Sequence, residues 1–336
     1  MLKKCKYPII QAPMAGGIST VSLARSVGEN GGLGFLAAGY KTAEALEKEI
    51  IEMEQSGLLY GVNVFVPTAA VDGQEVHTYK ARLENDWGMK LEQPAWSDDE
   101  LEEKLALLKQ YKVPVASFTF GCPNEEIIRD LQSHGTFVII TVTEAKEALF
   151  AQQAGADAVC LQGIEAGGHR ASFDNTDPKE DKPLTELLQE VRAVVQVPVI
   201  AAGGIMDGAC IKNLLQAGAA AVQLGTAFIC SEESGANLVY KRALIEKQFT
   251  STKLTRAFTG RLARGLENDF IRRYDAEAPA VYPTVHFLTQ SIRKNALLRE
   301  NPQAMSLWAG AGFEKVRALP VKELMQQLVQ EAGLVK

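Results

Sequence analysis

Basic surface charge, clustered cysteines and long apolar runs are all missing from this chain. Its formal net charge is −6 over 336 residues, which argues against non-specific binding to nucleic acid, because phosphate backbones need a basic surface. Its five cysteines, Cys5, Cys122, Cys160, Cys210 and Cys230, are odd in number and widely scattered. They have neither metal-ligand spacing nor a paired disulfide framework, and they fit a reducing cytosol. No run approaches the roughly 18 apolar residues of a membrane span. The basic start Met1–Lys6 passes directly into Tyr7-Pro8 rather than into an apolar segment, so it does not read as a secretory signal. There is no Gly-x-Gly-x-x-Gly dinucleotide fingerprint, no Walker-type loop, no internal repeat and no low-complexity tract. These absences lead to the expectation of a cytoplasmic protein with no metal and no nucleic-acid or membrane partner. A homo-oligomer is left open.

What is present is ordinary globular composition, 46% hydrophobic and 23% charged, arranged with a clear rhythm. Short β-rich runs alternate with longer amphipathic ones. The strands are expected at Pro8–Ala12, Gly34–Ala37, Gly61–Phe65, Val113–Phe118, Phe137–Val142, Ala158–Gln162, Pro198–Ala202 and Ala221–Leu224. Several are near-continuous apolar runs, as strands buried on both faces should be. Helices are expected between them at Thr20–Asn30, Thr42–Ser56, Asp98–Tyr111, Asn124–His134, Thr143–Ala154, Leu184–Val195 and Asp207–Ala217. Thr143 reads as an N-cap, and Gly31, Gly57, Gly135, Gly155 and Gly218 follow helix ends as C-cap chemistry favours. Eight such units predict an α/β (β/α)8 TIM barrel, ahead of a doubly wound sheet, because polar and glycine-rich points follow nearly every strand. Residues 1–231 would be the barrel. Two parts do not fit the repeat. An inserted segment after the third strand, 67–97, reads as an excursion over the barrel mouth. A C-terminal helical extension, 232–336, would cover the mouth or mediate contacts, with helices at Gly235–Lys247, Val285–Leu298 and Val321–Ala332.

The strand ends carry the candidate chemistry. Gln162 to Arg170 ends a buried strand with the pair Gly167-Gly168 followed by His169. Paired glycines let backbone pass close to a bound group, and a histidine fixed there can hydrogen-bond or exchange protons near neutral pH. A flat cofactor against the glycines, with the imidazole over its reactive edge, would explain both. Gly203-Gly204 and Gln223-Leu224-Gly225-Thr226 follow the seventh and eighth strands, where TIM barrels often bind phosphate. They read either as an anion cradle of backbone N–H groups or as plain tight turns. Ala12-Pro13-Met14 closes the first strand with small, rigid residues against which a ring could lie, or makes an ordinary turn. Asn63 and Gln162 each need a hydrogen-bond partner at their strand ends, either a loop carbonyl or the edge of a heterocycle. Arg170 reads as a stabiliser of an anion or as the partner of an acid on the following loop. The arginine-rich run Thr255–Gly265 reads as a solvated or subunit-contact face. Tyr282 and His286, four apart, would share a helix face if that helix starts at Pro283.

Ile9–Gly16, Gly61–Pro67, Gln162–Arg170, Ala201–Ile205 and Gln223–Phe228 together resemble the nitronate monooxygenase family, formerly called 2-nitropropane dioxygenases. The resemblance runs from about residue 7 to Leu307–Gly310. It implies an FMN-dependent barrel that oxidises alkyl nitronates such as propionate 3-nitronate with O2, giving a carbonyl product and nitrite or related species, without NAD(P)H or a metal. It implies FMN contacts from Asn63, Gln162, Gly167, Gly204 and Gln223–Thr226, with the phosphate near Gly204, Gly225 and Thr226. His169 matches the family histidine, acting as a base on neutral nitroalkanes or a hydrogen-bond donor to nitronate oxygens. Substrate-pocket residues of the family fall near Tyr282 and His286. Ala311 stands where the family usually has glutamine. The related alternatives are an FMN-dependent enoyl-acyl-carrier-protein reductase and an NAD(P)H:quinone reductase.

Overall fold

The computed structural model describes residues 1–69, 73–176 and 182–335. Its strands, in chain order, are β1 (Ile9–Gln11), β2 (Gly34–Ala37), β3 (Tyr60–Phe65), β4 (Val115–Thr119), β5 (Phe137–Val142), β6 (Ala158–Gln162), β7 (Gly168–His169), β8 (Val199–Ala202), β9 (Ala221–Leu224), β10 (Thr252–Thr255) and β11 (Ala263–Leu266). Eight of them form one sheet in the order β1-β9-β8-β6-β5-β4-β3-β2, and every pair within it is parallel. The two edges meet. Ile10 bridges Leu33 in parallel, and the Gln11 and Leu33 N–H groups donate to the Leu33 and Ile9 carbonyls at 2.9 and 3.0 Å. The fully buried Gln11 side chain stitches the seam, its Oε1 accepting from the Phe35 N–H at 2.9 Å. The sheet therefore closes into a (β/α)8 TIM barrel.

Alternation along each strand explains the apolar runs. Ile10, Phe35, Val115, Ile139, Cys160 and Ile200 point inward and fill the barrel. Their neighbours Ile9, Leu36, Ala116, Ile140, Leu161 and Ala201 point outward against the helices. Both faces are dry, so both sets are apolar. The seven expected helices form, each somewhat shorter than expected. The five glycines expected after helix ends all have positive φ.

One cap differs from expectation. The helix Ala145–Gln153 is preceded by Glu144, which makes no side-chain cap. The Thr143 hydroxyl and N–H instead donate to the buried Glu147 carboxylate, whose other oxygen accepts from the Phe173 N–H at 2.8 Å. The carboxylate thus ties the chain just before this helix to the loop after β6.

The insertion is also not a loop over the mouth. Residues 70–72 of it lie outside the described residues, but Gln74–Trp87 is a helix that buries Val76, Tyr79 and Leu83. That face packs on Phe258, Phe270, Tyr274 and Leu288, and the Tyr79 hydroxyl donates to the Ala257 carbonyl at 2.7 Å. No described residue between Phe65 and Thr119 lines the central cavity. The C-terminal part contains the hairpin β10–β11 and a helix Asp269–Tyr274, neither expected from local pattern. Its last helix, Val321–Glu331, returns to the barrel wall between helices Val21–Glu29 and Gly208–Gln216. It fills the outer-ring position that the four-residue helix Thr226–Ile229 after β9 leaves open.

Candidate active site

The strand ends surround a cavity of about 520 Å³, a size suited to a cofactor or small ligand. Most expected residues line it: Ala12, Pro13 and Met14 after β1, Asn63 in β3, Gln162 at the end of β6, and Gly167, Gly168 and His169 beyond it. Gly203, Gly204, Gln223, Gly225 and Thr226 line the opposite end. Leu224 does not, because its side chain points into the helix layer; only its carbonyl serves the site, accepting from the Ala12 N–H at 2.8 Å.

The glycine pair divides its work. A Cβ on Gly167 would lie 2.5 Å from the Gly310 nitrogen, so that glycine serves close approach of two chain segments. A Cβ on Gly168 would meet nothing within 4 Å, and this residue borders open cavity at φ +79. At the other end, the N–H groups of Gly204, Gly225 and Thr226 donate to no backbone carbonyl among the described residues. The Thr226 hydroxyl accepts from the Gly310 N–H at 3.0 Å and keeps its own proton to donate.

Asn63 and Gln162 also separate. Asn63 donates to the Ser117 carbonyl and to the Ser117 and Thr119 hydroxyls at 3.2, 2.8 and 2.9 Å. A carbonyl can only accept, so the amide nitrogen faces β4, and no protein donor reaches the amide oxygen among the described residues. Gln162 is consumed by its own loop. Its nitrogen donates to the His169 carbonyl at 2.9 Å, and its oxygen accepts from Arg170 and the Ala171 N–H at 2.9 and 3.0 Å. Arg170 is buried and donates to the carbonyls of Gln162 and Gly163 as well, so its described bonds hold the loop rather than a ligand.

His169 is fixed from both sides. β7 pairs with β11 in antiparallel register, Ala263 opposite His169, and the imidazole Nε2 lies 3.0 Å from the Thr259 hydroxyl. The rings of Trp308, Tyr282 and Phe120 stand 5.4, 5.7 and 5.9 Å away. Burial first, then the guanidiniums of Arg261 and Arg293, push its pKa down to about 3, so the imidazole is neutral at physiological pH.

The run Thr255–Gly265 is not a solvated face. Arg261 is 0% exposed. Its guanidinium donates to the carbonyls of Arg170 and Ser172, lies 4.0 Å over the Phe120 ring, and keeps one terminal nitrogen without a partner. Arg256 and Arg264 donate to the Asn175 and Ile164 carbonyls at 2.8 and 3.0 Å. All three arginines therefore clamp the backbone that follows β6. Arginine with several donors suits this task, since one side chain can satisfy two carbonyls at once.

The helix expected from Pro283 begins at Thr284, so Tyr282 precedes it. His286 lines the cavity, whereas Tyr282 stands behind it among Phe65 and Phe120. Both are organised by Tyr40, which local pattern did not reveal. Its ring stacks on His286 at 3.9 Å and 4°, and its hydroxyl lies 2.9 Å from the Tyr282 hydroxyl. Tyr40 and Phe120 both line the cavity with left-handed backbone, φ +65 and +76, a conformation costing on the order of 1–2 kcal/mol for a residue with a Cβ. An aromatic in the loop after β2, just past Ala38-Gly39, was the available signal for Tyr40. Arg293 donates to the His286 carbonyl at 2.6 Å, and burial pushes its pKa down to about 10. Ala311 is exposed and outside the lining. The lining contains Arg293 and Lys294 and, among the described residues, no Asp or Glu.

A TIM barrel with open glycine turns at one end of its mouth, and a neutral imidazole and cations at the other, has the build of a barrel enzyme with its site at the strand ends. Residues 1–331 match the profile of the family described as Nitronate monooxygenase, and the chain belongs to the nitronate monooxygenase family. It is 38% identical over 333 residues to the probable nitronate monooxygenase of Bacillus subtilis (strain 168), covering 96% of this chain and 95% of that one. The corresponding protein of Staphylococcus aureus (strain MRSA252) is 38% identical over 348 residues, covering 98% and 95%. Among solved structures, nitroalkane oxidase from Streptomyces ansochromogenes superposes with a TM-score of 0.95 at 46% identity, covering 98% of this chain and 96% of that one. FabK from Thermotoga maritima superposes less closely, with a TM-score of 0.78 at 28% identity and coverage of 99% and 94%. Among the described residues, no helix is long and apolar enough to cross a membrane.

Proposed function

We propose that this chain binds FMN in the barrel mouth and oxidises alkyl nitronates of the propionate 3-nitronate type with O2, giving a carbonyl product and nitrite or related species. The observation that carries the reading is the charge of the lining: Arg293 and Lys294 without a carboxylate, in a chain of net charge −6. Such a cavity favours an anion twice, once as the cofactor phosphate and once as the nitronate. The phosphate would be held by the N–H groups of Gly204, Gly225 and Thr226 and the Thr226 hydroxyl. The ring would lie against Ala12–Met14 and Gly168, with the Asn63 oxygen accepting from its donor edge. Bound flavin supplies the redox chemistry. The protein binds and orients the anion and keeps water out with Phe120, Tyr40 and Trp308. His169 stays neutral, so an already ionised nitronate requires no proton transfer from it, and the nitronate is the better substrate. In this reading residues 1–231 form the cofactor barrel, whose outer ring the helix Val321–Glu331 completes, and the rest of 232–336 closes its mouth. A cytoplasmic protein without a nucleic-acid partner accords with five free cysteines and the acidic charge balance.

Anaerobic mixing of the purified yellow protein with propionate 3-nitronate, NADH or NADPH tests this directly. The expected result is loss of oxidised-flavin absorbance with the nitronate alone, and a released chromophore with the mass of FMN. Bleaching by a pyridine nucleotide and not by the nitronate overturns it.

A further inference from the structure

Thr259 is 1% exposed and sits at the turn leading into β11. Its hydroxyl oxygen lies 3.0 Å from His169 Nε2 and 3.1 Å from the Arg261 carbonyl oxygen. A hydroxyl has one proton, and a carbonyl oxygen can only accept. The Thr259 proton therefore goes to the Arg261 carbonyl, and the hydroxyl meets the imidazole with a lone pair. A neutral imidazole facing a lone pair must bring its N–H, which places the ring proton on Nε2 and leaves Nδ1 bare. Among the described residues no group hydrogen-bonds Nδ1, so this is the ring nitrogen left for the cavity that His169 lines.

We propose that Thr259 is a positioning residue that fixes the tautomer of His169, holding the proton on Nε2 so that Nδ1 accepts the α-proton of neutral nitroalkanes. In that step the C–H bond breaks and the Nδ1–H bond forms. The electron pair moves into the C–N bond, and the charge appears on the nitro oxygens, giving the nitronate that the site then oxidises. The inference rests on the nitronate reading for its substrate, but the tautomer assignment does not depend on it.

Both partners are held by backbone. The Thr259 N–H donates to the Arg256 carbonyl at 3.1 Å, and its oxygen also accepts from the Arg261 N–H at 3.3 Å. Gly260 follows at φ +77, where a Cβ would sit 2.3 Å from the Val281 carbonyl oxygen, so the turn has no room to shift. The groups that surround the imidazole are the guanidiniums of Arg261 and Arg293, the imidazole of His286 and the rings of Phe120, Tyr282 and Trp308. Among the described residues, no carboxylate faces it. A hydroxyl can orient the ring without stabilising the imidazolium, whereas a carboxylate would do both. The site thus holds a weak base that is unprotonated before substrate arrives, matched to substrates whose proton is acidic.

The test uses the flavin-loaded enzyme with ¹⁵N-labelled histidine and long-range ¹⁵N–¹H correlation spectra, with His169 assigned by its absence in His169→Asn. The expected wild-type pattern is the neutral Nε2–H tautomer at every pH between about 5 and 8. Thr259→Ser should preserve it, and Thr259→Val, which keeps the shape and removes the hydroxyl, should shift the ring toward Nδ1–H. In turnover, Thr259→Val should lower kcat/KM for nitroethane on the order of 10²-fold, change that for propionate 3-nitronate by less than about threefold, and be rescued by serine. An Nδ1–H ring or an imidazolium in the wild type overturns the proposal. So does a valine variant with the wild-type tautomer and an unchanged nitroethane rate. If nitronate is not oxidised at all, the functional reading fails while the tautomer pattern still decides the role of Thr259.

Discussion

The cavity has a floor and a wall, and they are built on different principles. The floor comes from the strand-end loops and works through backbone: Gly204 and Gly225 turn their N–H groups away from any described backbone carbonyl, and Gly168 leaves space. The wall comes from residues 255–308 and works through side chains: Thr259, Arg261, His286, Arg293 and Trp308. A backbone floor tolerates any anion of the right size and gives binding. A side-chain wall in fixed geometry distinguishes one proton-transfer partner from another and gives selectivity. His169 stands where the two meet, belonging to the β6 loop by sequence and to the β11 wall by pairing.

The sharpest way to separate the two is His169→Asn. If the imidazole serves only proton abstraction, turnover of neutral nitroalkanes should fall on the order of 10²-fold or more, with nitronate turnover reduced far less. Equal losses on both substrates in steady-state kinetics would show that the wall is needed for binding as well. The same variant has a pH signature. The native pKa of about 3 lies below the unfolded value of 6.5, so the unfolded chain takes up a proton that the native ring refuses. Stability that is complete above 6.5 is therefore lost as pH falls from that value toward 3. The unfolding midpoint of His169→Asn should fall less steeply with acid than that of the wild type.

Next in size is the clamp. Arg261→Met leaves the Arg170 and Ser172 carbonyls without their donor, at about 1–3 kcal/mol each, while removal of a buried cation that forms no ion pair among the described residues offsets part of that loss. A net destabilisation of about 2 kcal/mol is expected by chemical denaturation, and lysine should not rescue it. A wild-type midpoint would reduce the wall to passive packing.

The floor is tested by Gly204→Ala. At φ +65 and with a new Cβ 2.8 Å from that of Glu165, the substitution carries about 1–2 kcal/mol of strain, which predicts roughly tenfold weaker cofactor retention on dialysis with little change in fold. The smallest effect belongs to the exposed rim. Lys294→Gln should raise KM for a nitronate by about threefold at low salt, leave kcat unchanged, and lose its effect at high ionic strength.

Much of the floor was legible in the sequence. Strand ends, glycine turns and His169 are local features, and the eight expected strands correspond to the eight of the barrel. Yet two residues that looked alike proved different: among the described residues Asn63 keeps its amide oxygen free, and Gln162 spends its amide on the loop. The distinction depends on Ser117, Thr119 and the fold-back of Arg170, which no local window contains. The wall was misread for a related reason. Arginines are mostly exposed, so a run holding three of them reads as surface. The reading fails here because carbonyls 89 and 91 residues away along the chain, at Ser172 and Arg170, meet Arg261 in the interior. Tyr40 was missed because its importance lies in His286 and Tyr282, not in its neighbours.

Hydrophobic period, helix stops and glycine turns are settled by the conformational preferences of a few consecutive residues, so the barrel and the glycine turns at its mouth were already determined by the order of amino acids. The burial of Arg261, the stacking of Tyr40 on His286 and the proton position on His169 required tertiary structure. Each is an electrostatic or hydrogen-bond balance between groups far apart in the chain, and its outcome exists only once folding has removed the water between them.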